Sequence, residues 1–168
     1  MRISSDCYFM SMAILASKRA TCPRRSVGCV LVNGRGHVIG TGYNGPASGR
    51  PHCIDTPCAG AHLPSGTGLE ACEAIHAEAN AMLQCKDVFQ IDTLYVTSSP
   101  CLLCTRQLLN TSCRRVVFVE EYPHKEAKIL WESSGRIWHK FDEPVLIVPM
   151  VVNADGQSIR NALKGSTT

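Results

Sequence analysis

Apolar side chains recur at helical spacing from Asp6 to about Arg19, where Phe9, Met12, Ala13, Ala16 and Ala20 fall along one side. Pro23 pushes Cys22 out of the helical region, so the helix is expected to end at Cys22–Pro23. The period then shortens. Ser26–Val32 reads as a buried strand, Asn33–Gly36 as a turn, and His37–Thr41 as the second strand of a hairpin. From Tyr43 to about Glu70 the pattern dissolves into Pro46, Gly49, Pro51, Pro57, Gly60, Pro64, Gly66 and Gly68. Connections longer than about 12–15 residues are uncommon in compact domains unless they serve a function or are cross-linked.

Order returns with a helix over about Ala74–Cys85, then a strand, Thr93–Thr97, and a helix, about Cys101–Asn110. A strand (Arg115–Val119), a helix (Lys125–Ser133) and a short strand (Arg136–Lys140) follow. Strands alternating with helices of this length predict an α/β fold with helices on both faces of one sheet. The chain reads as one domain, 1–168, with a core over 1–142 and a C-terminal extension over 143–168. The extension holds an apolar run, Val145–Val152, and a turn at Asn153–Gly156.

Composition narrows the setting. The net charge of +3 forms no Lys/Arg stripe, which suits a small anionic substrate better than an extended nucleic acid. Ten cysteines in 168 residues raise the question of a secreted disulfide scaffold. The start Met1–Asp6 carries one basic residue and one acid, and the apolar stretch Tyr8–Ala16 runs with helical period into Ser17-Lys18-Arg19. That reads as the first helix of the fold rather than a signal sequence. No apolar run approaches the roughly 18–20 residues of a membrane span. A reducing compartment is expected, cytoplasmic or the host cytoplasm for a phage-encoded chain, with clustered cysteines as metal ligands or small buried apolar groups.

Two segments carry chemistry: His76-Ala77-Glu78 and Pro100-Cys101-Leu102-Leu103-Cys104, each where a helix begins. One imidazole and two thiolates make three soft ligands for zinc and leave a fourth tetrahedral position for water, as catalytic rather than structural sites do. Cys101 and Cys104 share a first helical turn, whose amide dipoles favour thiolates. A closed structural zinc site leaves the acid at Glu78 unexplained; beside a metal-activated water it is a proton carrier. H-x-E followed by P-C-x-x-C is the zinc-deaminase signature. Asn80, one helical turn from His76, either braces the site or makes a purely structural bond.

On these residues the chain resembles deoxycytidylate deaminases over roughly its first 140 positions. Tyr8-Phe9-Met10, Cys22-Pro23-Arg24, Val27-Gly28, Gly42-Tyr43-Asn44-Gly45, His76 to Ala81, Tyr95-Val96-Thr97 and Ser99-Pro100-Cys101 carry the likeness. The resemblance implies a three-layer α/β/α sandwich around a mixed five-stranded sheet. It implies zinc on His76, Cys101 and Cys104, Glu78 as the catalytic proton shuttle, and hydrolysis of dCMP to dUMP and ammonia, supplying the precursor of dTMP. Asn44 is expected to hydrogen-bond the sugar, and the backbone before Pro100, with Ser99, to meet the exocyclic amine. Some members hold a second, structural zinc through cysteines matching Cys22 and Cys53. Cys58 and Cys72 complete the expected set, with His52 or His62 as substitutes. Cys7, Cys29, Cys85 and Cys113 read as packing residues.

A 5′-phosphate requires cationic or amide donors. Arg24, Arg25 and Lys125 are candidates, with Tyr122 as a hydroxyl donor. Relatives are often hexamers regulated by dCTP and dTTP near the segment matching Gly42, Tyr43 and Gly45, and Mg2+ can accompany a triphosphate effector. Here the helix continues Met82-Leu83-Gln84-Cys85-Lys86-Asp87, without the aromatic and arginine that accompany regulation in a phage relative. A homo-oligomer, and no stable nucleic-acid or membrane partner, are expected. Competing readings are a deaminase of dCTP or 5-modified dCMP, a deaminase of bases in single strands, and a non-catalytic zinc-stabilised binding protein. A single-strand path needs exposed aromatics, and only Trp131 and Trp138 are available, the first at a core helix position.

Overall fold

The computed structural model describes residues 2–64, 66–123 and 125–145. Its elements run α1 (Ser5–Ser17), β1 (Gly28–Asn33), β2 (Val38–Tyr43), α2 (Ala77–Gln84), β3 (Ile91–Ser98), α3 (Leu102–Leu109), β4 (Arg115–Glu120), α4 (Glu126–Ser133) and β5 (Ile137–Lys140). The strands form one sheet in the order β2-β1-β3-β4-β5. β1 pairs antiparallel with both β2 and β3, while β3–β4 and β4–β5 are parallel, so the sheet is mixed as expected.

Strand alternation sorts the core into two faces. Val30, Val32, Tyr95 and Val117 point to the side covered by α1, where they meet Phe9, Met10 and Ala13. Leu31, Leu94, Val96, Val116 and Phe118 point to the other side, beneath Ala81 of α2, Leu108 of α3 and Trp131 of α4. The three inner strands β1, β3 and β4 are thus apolar on both faces, as the centre of an α/β sandwich must be. Trp131 is fully buried and donates its indole N–H to the carbonyl of Ile137 at 2.9 Å, which fastens α4 to β5. Cys7, Cys29 and Cys113 are buried packing residues, and Cys85 lies half-buried against the core.

Two glycines set the distance between helices and sheet. A Cβ on Gly28 would run into the carbonyl oxygen of Ala13 and the amide of Ser17 on α1. One on Gly42 would strike the carbonyl of Ala77 and the amide of Ala81 on α2. Gly42 is thus a packing residue that brings the start of α2 onto β2.

Two boundaries differ from expectation. α1 stops at Ser17 rather than at Cys22–Pro23, because Lys18, Arg19 and Ala20 turn their amides to carbonyls three residues back (3.0–3.1 Å) and tighten the chain out of the helix. α2 starts at Ala77, not Ala74, because Ile75 exchanges backbone hydrogen bonds of 2.8 and 3.2 Å with Gly45 and is held extended. The apolar run Val145–Val152 extends beyond the described residues, and the turn Asn153–Gly156 lies outside them.

Candidate metal centre and pocket

α2 and α3 begin beside each other, and their N-caps are His76 and Cys101. Both caps have extended backbone, with ψ of 153° and 169°, and neither side chain caps its own helix. The two side chains are therefore available to a shared point. His76 Nδ1 lies 3.4 Å from Cys101 Sγ and 3.4 Å from Cys104 Sγ. Ideal Zn–S and Zn–N lengths of about 2.3 and 2.0–2.1 Å place tetrahedral ligands about 3.6 Å apart, so this spacing fits zinc. All three donor atoms fall within 4.8 Å of one another, the one such group among the described residues.

The site's electrostatics match its donor set. The Cys104 thiol hydrogen-bonds Cys101 and, with His76, draws the Cys101 thiol down to about 4; the same bond, with burial, pushes Cys104 up. The pair thus favours one thiolate over two, and metal binding there is coupled to proton release. His76 is raised, chiefly by its hydrogen bond with Cys101. Glu78 is 3% exposed, and burial lifts its carboxyl to about 7. It also hydrogen-bonds with Cys104, so the carboxyl stands at the ligand cluster. Cys29, fully buried near Glu78, is pushed up by desolvation and stays a neutral packing group.

These side chains open onto one pocket whose wall includes His76, Glu78, Cys101, Asn44, Arg25 and Tyr122. The family pattern for the cytidine and deoxycytidylate deaminase zinc-binding region matches residues 3–120. The chain belongs to this family. A deoxycytidylate deaminase of Saccharomyces cerevisiae is 40% identical over 155 residues, 88% of this chain and 49% of that protein. One from Schizosaccharomyces pombe is 41% identical over 125 residues, 72% of this chain and 38% of that one. The chain thus spans about half or less of these two relatives' own length. The dCMP deaminase of cyanophage S-TIM5, 24% identical with a TM-score of 0.64 over 84% of this chain and 100% of that one, shares the fold.

Within this deaminase fold the remaining residues sort clearly. Asn44 is buried and spends its amide on its own chain: Oδ1 accepts from the Val27 amide (2.8 Å) and Nδ2 donates to the Arg25 carbonyl (2.7 Å). Ser99 also lines the pocket, and its Oγ accepts from the Tyr122 amide at 2.8 Å, fixing the segment after β4. Arg24 reaches the opposite loop, where it donates to the carbonyls of Pro64 and, at 2.8 Å, Thr67. Lys125 is exposed and stands outside the pocket wall. Asn80 donates to the Tyr43 carbonyl at 2.8 Å, so it braces β2 against α2 rather than the ligand cluster.

The cysteine-rich loop is less convergent. Cys53 hydrogen-bonds Cys58, with Cys22 near enough to disfavour its thiolate, while Cys72 and Cys22 line the pocket. These sulfurs do not form a group as tight as the His76 cluster among the described residues. His52 and His62 are exposed. Tyr43, Gly45 and His52 face a separate surface hollow with Arg50 and Gln84. Ser98 is the pocket residue that sequence reasoning passed over; it is 4% exposed and receives the Arg25 guanidinium at 2.6 Å. Its only sequence signal is its place as the last strand residue before Ser99-Pro100.

Proposed function

We propose that this chain hydrolyses dCMP to dUMP and ammonia. The observation that carries the reading is a buried carboxyl, Glu78, at a His-Cys-Cys cluster in the same pocket as Arg24 and Arg25. His76, Cys101 and Cys104 would hold zinc, which when bound supplies the Lewis acidity that makes water nucleophilic near neutral pH. Glu78, raised to about 7 by burial, gives up and regains a proton at little cost near neutral pH. It accepts one proton from the water that adds at C4 and passes it to ring N3; it then takes a second proton from the new C4 hydroxyl and gives it to the amine, which leaves as ammonia while the C4 carbonyl forms. Asn44, by clamping Val27 and Arg25, shapes the wall that faces the sugar. Ser99 and Tyr122 hold the opposite wall in the same way.

Relatives named deoxycytidylate deaminase, and a cyanophage dCMP deaminase solved in complex with dCMP and dUMP, support the mononucleotide. The reading extends to a second, structural zinc on Cys22, Cys53, Cys58 and Cys72, supported by the Cys53–Cys58 contact with Cys22 beside it. It also extends to a homo-oligomer, with effector binding near Tyr43 and Gly45, where a hollow is present.

Ammonia release from dCMP, CMP, dCTP, deoxycytidine and a cytosine-bearing single strand tests the substrate, with zinc counted per chain and Glu78→Gln as the control. Turnover of dCMP ahead of the other four, lost in Glu78→Gln with zinc retained, is the expected result. Preference for the single strand overturns the mononucleotide reading, and one zinc per chain instead of two overturns the structural site.

A further inference from the structure

We infer that Ser98 is a positioning residue for phosphate recognition: its hydroxyl aims Arg25, and Arg25 distinguishes a nucleotide from a nucleoside. This rests on the nucleotide reading of the pocket given above. Two arginines stand in the pocket wall, but they are committed differently. Arg24 gives its guanidinium to two loop carbonyls, Pro64 and Thr67. Arg25 makes one side-chain hydrogen bond, Nη1 to Ser98 Oγ at 2.6 Å. A guanidinium carries five N–H groups in a rigid fork suited to two oxygens of one phosphate, so this bond leaves the fork its capacity.

An arginine side chain has many rotamers, and a binding site gains from it only when those are already restricted. Two contacts restrict this one, and the backbone it springs from is held where Asn44 Nδ2 donates to the Arg25 carbonyl. The guanidinium carbon stands 5.6 Å from the centre of the Tyr122 ring, a cation–π arrangement. Ser98, buried at the end of β3, supplies the single directed hydrogen bond at the head group. Because Ser98 lies three residues before Cys101 on one rigid strand-to-helix connection, the same segment registers the cation against the metal ligands.

The test compares Ser98→Ala and Ser98→Thr with the parent protein, each checked for unchanged thermal midpoint and zinc content. KM for dCMP is expected to rise about tenfold in Ser98→Ala, the order set by freeing a long charged side chain, with kcat nearly unchanged and recovery in Ser98→Thr. Activity on deoxycytidine, which has no phosphate, should not move. Equilibrium binding of dUMP and of deoxyuridine gives a second reading that needs no turnover: the preference for dUMP should fall by a similar factor. Equal losses on dCMP and deoxycytidine, or an unchanged dUMP preference, overturn the role of Ser98. A parent protein that prefers dUMP through Ser98 yet turns over no dCMP would overturn the activity and leave this inference standing.

Discussion

The two cysteine clusters of this chain are built on different supports. Cys101 and Cys104 project from the start of α3, directly after a central strand, and meet a histidine at the N-cap position of the neighbouring helix. Cys53, Cys58 and Cys72 belong to the long segment between β2 and α2, whose cross-ties are loop contacts such as the Gly60 amide to the Ala71 carbonyl at 2.9 Å. Ligands on helix ends are positioned before any metal arrives. Ligands on a loop must be gathered by it, so metal binding there is coupled to ordering.

The sharpest break of this comparison is Cys104→Ser. The fold should persist, because Cys104, although buried, stands outside the apolar cluster around Trp131 and the strands and Ser is close to it in size, while the catalytic metal dissociates and turnover falls at least about a thousandfold. Zinc content and ammonia release, read on the same sample, decide it; retained activity would overturn the assignment of this ligand.

A smaller effect separates framework from loop. Asp6 on α1 accepts from Arg115 of β4 at 2.9 Å and 2.5 Å and from the Tyr95 hydroxyl at 2.7 Å, which ties the helix across two strands. The Arg115 guanidinium holds the Asp6 carboxyl below its usual value, with Tyr95 adding to the effect against the opposing pull of burial. A carboxyl depressed in the folded state stabilises it above the unfolded pKa, and that contribution disappears as pH falls through the folded value. Asp6→Asn should lower stability by about 1 kcal/mol at neutral pH, and the gap should close in acid, once pH has fallen through the folded value. Urea midpoints at neutral and acid pH measure it, and a gap that persists in acid would contradict the ion-pair account.

Arg24→Ala gives the smallest change in stability and acts on it through the loop. Losing the bonds to Pro64 and Thr67 should speed limited proteolysis near residues 60–68 severalfold and leave the thermal midpoint within about 0.5 kcal/mol equivalent. An unchanged cleavage rate would mean that the loop is held by other contacts.

The sequence was readable where local chemistry and periodicity agree. His76, Glu78, Cys101 and Cys104 announce themselves by spacing because each pair shares one helix start, and the two core faces follow from strand alternation. What escaped depends on partners distant in the chain. The start of α2 is set by Gly45, thirty-odd residues upstream of Ala77 and invisible to helical periodicity. Arg24 and Arg25 look alike in sequence, yet one binds a loop carbonyl pair and the other a strand-end serine. Asn80 has the right helical offset to face His76 but finds the Tyr43 carbonyl first.

Gly28 and Gly42 also bear on how freely this protein can vary. Neither offers a functional group, and each is occupied on its open side by the backbone of a packed helix. In a library of single substitutions scored for activity, both positions should be as intolerant as His76, Cys101 and Cys104, although every reactive atom would still be present. The start of α2 rides on Gly42, so a methyl group added there displaces His76 and Glu78 together. Part of the site's geometry is therefore inherited through an absent side chain, and drift at that position is closed to the lineage even where the pocket itself has room to change.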